Sequence, residues 1–229
     1  MKKKFLLFDI DRTLLDFSTS EQKALKKSFD ALGIPFTQEI LDWYLVHNHM
    51  LWTSYENGLM PRDVIFQNRF TETFSQFSID ADGHLMEKTY RQALSEGIDL
   101  VENALDVITR LSKTHILYIV TNGLASTQEK RLIGSGLAPF FQGSFVSEIM
   151  GFQKPMLEYF DYCFEHIPNF QKSEAIIIGD SLSSDIQGGI TAGIDTCWFN
   201  PAHLSNETPF QPTYEIHNLL ELLPLLEIN

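Results

Sequence analysis

The chain is short of cysteine, of basic residues and of long apolar runs, and each shortage narrows what it can be. Its two cysteines, Cys163 and Cys197, stand far apart and outside any C-x-x-C spacing. That excludes a disulfide scaffold and a structural zinc site, and leaves two thiols expected to be buried and reduced. Lys and Arg number 17 against 30 Asp and Glu, a formal charge of −13. A surface that negative repels phosphate backbones and anionic headgroups, so nucleic-acid polymers and membranes are poor partners. A small anion stays acceptable wherever a local cluster of cations and N–H groups overrides the global field. Met1-Lys2-Lys3-Lys4 resembles the basic start of a signal peptide, but the apolar run behind it, Phe5 to Phe8, stops at Asp9. A signal sequence needs about 7–15 apolar residues there, and nothing approaches the ~20 of a membrane span. A cytoplasmic location is the expectation. The seven histidines are scattered, and His47 and His49, two apart on a predicted helix, face different directions. That argues against a His-rich zinc hydrolase.

What is present suits one large domain, or a core with a smaller companion. The 229 residues are 44% apolar with 18 Phe, enough for a sizeable, ring-packed core. Four short runs have the length and the β-branched or aromatic content of buried strands: FLLF (5–8), HILYIV (115–120), AIII (175–178) and TCWF (196–199), with GSFVS (143–147) a weaker fifth. Helical patterns alternate with them over 101–111, 127–135, 156–166 and 184–192. Strands apolar on both faces and separated by helices predict an α/β fold with a doubly wound parallel sheet. Residues 16–97 break the alternation. They hold helical patterns punctuated by Gly33-Ile34-Pro35, Gly58 to Pro61 and Asp80 to Gly83, and Ser18-Thr19-Ser20-Glu21 has the form of a capping box that should open a helix. The expected organisation is a core of 1–15 and 98–229 with an all-helical insertion at 16–97. The Leu-rich tail, His217 to Ile228, carries Glu221, Pro224 and Glu227 and predicts a core-packing helix rather than an anchor.

Parallel strands end on one edge, so the polar residues after each converge there, where ligands of such sheets bind. After the first strand come Asp9-Ile10-Asp11-Arg12-Thr13. Two carboxylates at that spacing repel unless a cation or proton lies between them, and one can attack phosphorus while the other moves a proton. Taken alone, the pattern is also an ordinary acidic turn. Gly179-Asp180-Ser181-Leu182-Ser183-Ser184-Asp185 adds two acids to the same edge, oxygen donors of the kind that suit Mg²⁺. The plainer reading is a capped turn with Asp185 at a helix start. Thr121-Asn122-Gly123 offers a hydroxyl and backbone N–H groups before a helix, an anion cradle or simply a turn. Lys154-Pro155 supplies one cation, by itself no more than a surface lysine.

The order D-x-D-x-T, T-N-G, K-P, G-D-S-x3-D resembles that of the haloacid dehalogenase-like (HAD) phosphatase superfamily, over essentially the full chain. The insertion at 16–97 lies where that superfamily places its type 1 cap. LWTSYENG (51–58), GFQKP (151–155), IIGDSLSSDIQGG (177–189) and DTCWFNP (195–201) are similar to the pyrimidine 5′-nucleotidase branch of bacterial housecleaning enzymes. The resemblance implies a Rossmann-like core and a Mg²⁺-dependent phosphomonoester hydrolase. Asp9 would be the nucleophile and Asp11 the acid and base. Thr121, Asn122 and Lys154 would hold the phosphate. Asp9, the Asp11 carbonyl and Asp180 would hold the metal, while Asp185 supports metal waters or orients Lys154. It further implies that the substrate is a small phosphate monoester, a nucleoside monophosphate, and that a helical cap chooses the leaving group.

Arg12 departs from the family pattern, where this position is small or acidic. Two roles are open to it, a pairing with a cap carboxylate, which is the favoured one, and contact with substrate. Trp52 and Tyr55, three apart on a helix with His47 and Asn48 about a turn away, could stack on a base and bond its edge, or could merely pack the cap. The same core motifs also suit a sugar-phosphate phosphatase or a hexose phosphomutase. A dehalogenase would lack Asp11, and a non-catalytic binding module would not need the full set.

Overall fold

The computed structural model describes residues 3–227. It divides into two compact units, one made of the chain up to Phe17 with Ile98 onward, the other of Ser18–Gly97.

The first unit is built on a six-stranded sheet in the order β3-β2-β1-β4-β5-β6, with every neighbouring pair parallel. The strands are β1 (Phe5–Phe8), β2 (Ile116–Thr121), β3 (Gly143–Val146), β4 (Ala175–Gly179), β5 (Asp195–Phe199) and β6 (Tyr214–Ile216). Side chains alternate across a strand, and both sides here are apolar. Leu6, Phe8, Leu117, Ile119, Ile176 and Ile178 enter one buried layer, and Phe5, Leu7, Tyr118, Val120, Ala175 and Ile177 the other. Register pairs Phe8 with Ile119 on one side and with Ile178 on the other. The three strands β2, β1 and β4 therefore end side by side, at the point where the chain order reverses. That is where such a sheet opens a crevice.

The strand β6 carries too little apolar character to be predicted: Tyr214 and Glu215 are exposed and only Ile216 is buried. It is docked from outside its own span, by Thr213 and Thr196, whose backbone N–H groups each donate to the other's hydroxyl at 3.0–3.1 Å. In the tail, Asn218 and Glu221 form a capping box around a short 3₁₀ turn, Leu219–Glu221, that leads into the helix Leu222–Leu225. Leu219, Leu222, Leu223 and Leu226 fill the first layer, as a core-packing tail should; the Ile228 of the expected helix lies outside the described residues.

The second unit is helical: α1 (Phe17–Ala31), α2 (Gln38–Glu56), α3 (Arg62–Gln76) and α4 (Gly83–Leu94). The helix α1 opens at Phe17, one residue before the expected capping box, so Ser18 sits inside its first turn instead of capping it. Thr37 and Asp82 cap α2 and α4 with side-chain oxygens, and Pro61 precedes α3. Gly33 and Gly58 turn the chain between helices at φ 65° and 70°, a region L side chains avoid. The interior is a stack of rings, Tyr44 on Phe70 at 5.1 Å and Phe70 against Tyr90 at 5.3 Å. Among these rings Arg69 is buried with a bidentate hold on Glu87, at 2.7 and 2.8 Å.

The remaining helices, all in the first unit, are α5 (Ala104–Leu111), α6 (Ala125–Gly134), α7 (Ser147–Met150), α8 (Leu157–His166), α9 (Gln187–Ala192) and α10, the Leu222–Leu225 helix just described. Cys163 and Cys197 are buried and unpaired. Among the described residues, no helix is long and apolar enough to cross a membrane.

Candidate active site

Three strand ends supply the site. Asp9 follows β1 directly and is pinned there by its own N–H, which donates to Ile178 O at 2.9 Å. The loop then folds back on Ile10, whose carbonyl accepts from Thr13, Leu14 and Leu15 at 2.8–3.3 Å. Arg12 takes φ 62° within it, a left-handed conformation uncommon for a residue with a Cβ. This tight turn brings Asp9 and Asp11 to the same edge.

At the end of β4, Gly179 has no room for a side chain, since a Cβ there would meet Asp185 Oδ2 at 2.1 Å. Asp180 follows, with its carbonyl held by the Trp198 indole N–H at 2.9 Å. The chain then enters a wide π-type turn, Leu182–Ile186, in which the N–H groups of Asp185 and Ile186 both reach Ser181 O. Such turns concentrate at functional sites. This one carries Asp185, and the expected helix over 184–192 is split in two by it.

Lys154 ties the strand ends together. The residue is 1% exposed, and its ammonium donates to Asp185 Oδ1 at 2.6 Å, Asp9 Oδ1 at 2.7 Å and Val120 O at 2.9 Å. An ammonium has three donors, and all three are used. Burial works against the charge, but Asp185 and Asp9 outweigh it and raise the pKa, so Lys154 stays a cation. The side chain of Asn122, a residue expected at the phosphate through the backbone N–H groups of its loop, clamps the Lys154 backbone, accepting from N at 2.9 Å and donating to O at 3.0 Å.

Thr121, the last residue of β2, accepts from the Gly123 N–H at 3.1 Å and from Gln128 Nε2 at 3.2 Å. Both lone pairs are then occupied, which leaves the hydroxyl hydrogen to donate. The N–H of Ala125 at the start of α6 is taken by Glu148 Oε2 at 2.7 Å, so the helix terminus offers an anion less than its position suggests. Asp11 is held by two side chains of α6: Arg131 Nη1 donates to Oδ1 in a short contact, and Gln128 Nε2 donates to Oδ2 at 2.7 Å.

The cluster is short of positive charge. Oxygens of Asp9, Asp180 and Asp185 lie within 4.8 Å of one another. Burial pushes Asp9 well above the usual carboxylate range; Lys154 pulls it back, and Asp185, Asp180 and Asp11 add to the rise. Asp180 is pushed up to about 7, by burial and then Asp185, against the pull of Arg12 and Lys154. Among the described residues its carboxylate accepts no hydrogen bond. An all-oxygen donor set with surplus negative charge fits a hard divalent cation. Asp185 fits the ion less well, because both its oxygens are engaged, one by Lys154 and the other by the Ser181 N–H at 3.2 Å.

Arg12 is exposed, with its guanidinium 5.3 Å over the Phe17 ring. Within the helical unit, Trp52 packs edge-on against Tyr55 at 5.9 Å and Phe66 at 6.3 Å, and Tyr55 is buried. His47 pairs with Glu72 at 2.7 Å and Asn48 joins Glu21 to Arg69, so both side chains are already engaged. Sequence reasoning missed Gln128, Arg131 and Trp198. The first two had a signal, being three apart on the helix that follows the T-N-G motif and so on one face of it.

Over residues 6–199 the chain matches the haloacid dehalogenase-like hydrolase family. It is 48% identical over 223 residues to the Bacillus subtilis protein named HAD-hydrolase YfnB, covering 97% of this chain and 95% of that one. The crystal structure of YfnB, described as bound to magnesium and as revealing interdomain movement, matches with a TM-score of 0.96 and 47% identity, covering 100% of both chains. Pyrimidine 5′-nucleotidase PynA of Streptococcus pneumoniae is 39% identical over 227 residues, 99% of this chain and 96% of its own. Pyrimidine 5′-nucleotidase YjjG of Escherichia coli is 31% identical over 226 residues, 99% of each. With its motifs on the strand ends and these matches along nearly its whole length, the chain belongs to the haloacid dehalogenase-like hydrolases.

Proposed function

We propose that the chain is a phosphomonoester hydrolase that cleaves pyrimidine nucleoside 5′-monophosphates through an aspartyl-phosphate on Asp9. The observation that carries this reading is the Asp9–Lys154–Asp185 bridge, with Asp180 beside it short of a cation. Asp9 has one oxygen tied to Lys154 and a second that accepts no hydrogen bond among the described residues. Magnesium would be held by Asp9, Asp180 and the Asp11 main-chain carbonyl. When bound it supplies positive charge to the phosphoryl oxygens. Asp185 holds Lys154 and stays off the ion.

In the first half-reaction an Asp9 oxygen attacks phosphorus and the bond from phosphorus to the ester oxygen breaks. The electron pair stays on that oxygen, which takes the proton of Asp11. In the second, water attacks phosphorus, the bond to Asp9 breaks and Asp11 takes the water's proton. The Thr121 hydroxyl donates to a phosphoryl oxygen, and Lys154 neutralises charge beside the nucleophile. Halide displacement would need no proton at the leaving atom. The presence of a second carboxyl, Asp11, two residues after the nucleophile therefore favours ester hydrolysis.

The substrate class rests on the named activities of the Streptococcus and Escherichia relatives. Of the two rings expected to meet a base, Tyr55 is buried and Trp52 is half-buried, so Trp52 carries the proposed stacking. The buried unpaired thiols and the substrate class support a cytoplasmic location. Phosphate release from dUMP, dTMP, a 5-halogenated analogue, dAMP and glucose 6-phosphate, each with and without Mg²⁺, tests the reading. Pyrimidine nucleotides should be turned over fastest and only with Mg²⁺, and Asp9→Asn should abolish turnover while keeping the fold. A purine or sugar phosphate ahead by about tenfold in kcat/KM would leave a general phosphatase and remove the nucleotidase.

A further inference from the structure

The acid–base carboxylate of this site does not stand alone at the loop. Gln128 and Arg131, one turn apart on α6, each donate to a different oxygen of Asp11. Gln128 is shared: the same amide nitrogen reaches Thr121 Oγ1 at 3.2 Å, while its amide oxygen accepts from Arg131 Nη1 at 3.1 Å. That last bond turns the amide so that its N–H₂ faces Asp11 and Thr121. Gly123 makes room for it, because a Cβ there would meet Gln128 Nε2 at 2.3 Å. Arg131 is 1% exposed, and its guanidinium also lies 5.7 Å from the Phe17 ring. A cation that deeply buried is costly and is kept only where its partners are well placed.

We propose that Gln128 and Arg131 are positioning residues of the acid–base step. They hold the Asp11 carboxyl in register with the Thr121 hydroxyl, so that its proton reaches the leaving oxygen of the same phosphoryl group that Thr121 binds. The inference rests on the phosphatase reading above. The step it serves is the first half-reaction: the phosphorus–oxygen bond of the ester breaks, and the leaving oxygen keeps the electron pair and takes the Asp11 proton. Without Gln128 and Arg131 the carboxyl would be free to turn toward other partners, and the proton would arrive late or from water.

The same contacts could serve only to staple α6 to the loop, and the leaving group separates the two roles. A nucleoside or sugar alkoxide needs its proton as the bond breaks, whereas p-nitrophenolate leaves without one. The measurement is kcat/KM, which reports the first half-reaction, for dUMP or the best alkyl ester of the panel and for p-nitrophenyl phosphate. Gln128→Met and Arg131→Met should lower the alkyl value by on the order of 10–10² and the aryl value by several-fold less, since the Gln128 bond to Thr121 serves both esters alike and only proton delivery separates them. Arg131→Lys should restore part of the alkyl rate, and Asp11→Asn should show the same split more deeply. Equal losses on both esters, or no loss on either, would overturn the proposal. Melting curves check folding, and should Arg131→Met fail to fold, Gln128→Met, neutral for neutral, decides alone. A wild-type protein that turns over neither ester with Mg²⁺ refutes the phosphatase reading itself. Active wild type with unselective variants refutes only the role of Gln128 and Arg131.

Discussion

Each unit buries cations among carboxylates, Arg69 in the helical unit and Lys154 and Arg131 in the sheet unit, and the two clusters are arranged to opposite ends. In the helical unit Arg69 holds Glu87 with both prongs, reaches Asn48 at 3.3 Å and lies 4.7 Å from the Tyr90 ring. Arg91 pairs with the same Glu87 at 2.7 Å, and Asn48 and Tyr90 satisfy Glu21. Two cations, Arg69 and Arg91, thus stand with two carboxylates, Glu87 and Glu21. At the sheet edge the buried Lys154 and Arg131, with the exposed Arg12 acting on Asp180, face four carboxylates, Asp9, Asp11, Asp180 and Asp185, and one negative charge is left over. A balanced buried network specifies how helices pack. An unbalanced one is incomplete until something positive arrives, and that separates a structural ion cluster from one built to bind.

The sharpest way to break this contrast is to remove each cation. Lys154→Met and Arg69→Met each strand buried carboxylates and should each cost about 3–5 kcal/mol. Thermal melts with and without Mg²⁺ should then diverge. The ion should recover much of the loss in the Lys154 variant and none in the Arg69 variant, and Arg69→Met should keep its turnover per folded molecule. Equal rescue of both would erase the distinction.

A smaller effect sharpens the comparison through pH. The Asp180 proton is held more tightly in the folded state, at about 7, than at the ordinary 3.8. Its contribution to stability is therefore fully present below 3.8 and lost as pH rises through about 7. Metal-free protein should lose about 1–2 kcal/mol across that interval, allowing for the water that reaches a half-buried carboxyl. Saturating Mg²⁺ should flatten the curve. A metal-free stability that rises over the same range would contradict the charge deficit.

The smallest effect is at Arg12. Arg12→Gly relieves a left-handed residue and should raise stability by about 0.5–1 kcal/mol. It also removes a positive charge that holds Asp180 down, so the loss of stability should move to higher pH. A lower melting temperature would mean that the guanidinium contributes more over Phe17 than the backbone costs. If Arg12 also touches substrate, its loss should be selective for esters with a second anionic group.

Much of the core was legible because its signals are local. The apolar runs that end at Phe8, Val120 and Ile178 mark strands, and the polar residues after them stand where those strands stop. Residue pairs set by tertiary contact were not legible. Asn122 reads as part of an anion cradle, yet it spends both amide atoms on Lys154, which lies 32 positions away in the chain. Gln128 and Arg131 fall inside the helical pattern over 127–135, but nothing local in the sequence names Asp11, 117 and 120 positions away, as their partner. β6 escaped because a three-residue strand with two exposed positions has no period to find. Ser18 and Glu21 matched a capping pattern, but Glu21 is buried in the ring-lined interior of the helical unit instead.

The wide turn at Leu182–Ile186 makes the position of Asp185 a matter of phase as well as composition. An α-helix advances by roughly 100° per residue. Removing one residue between Ser181 and Asp185 would swing the carboxylate by about that angle, off Lys154 and out of the space that Gly179 leaves open. Every residue type of the motif could survive such a deletion while the lysine lost one of its anchors. Spacing in this segment is thus under a tighter geometric constraint than side-chain identity at Leu182 or Ser183, and a change in loop length here would alter the site without altering its list of chemical groups.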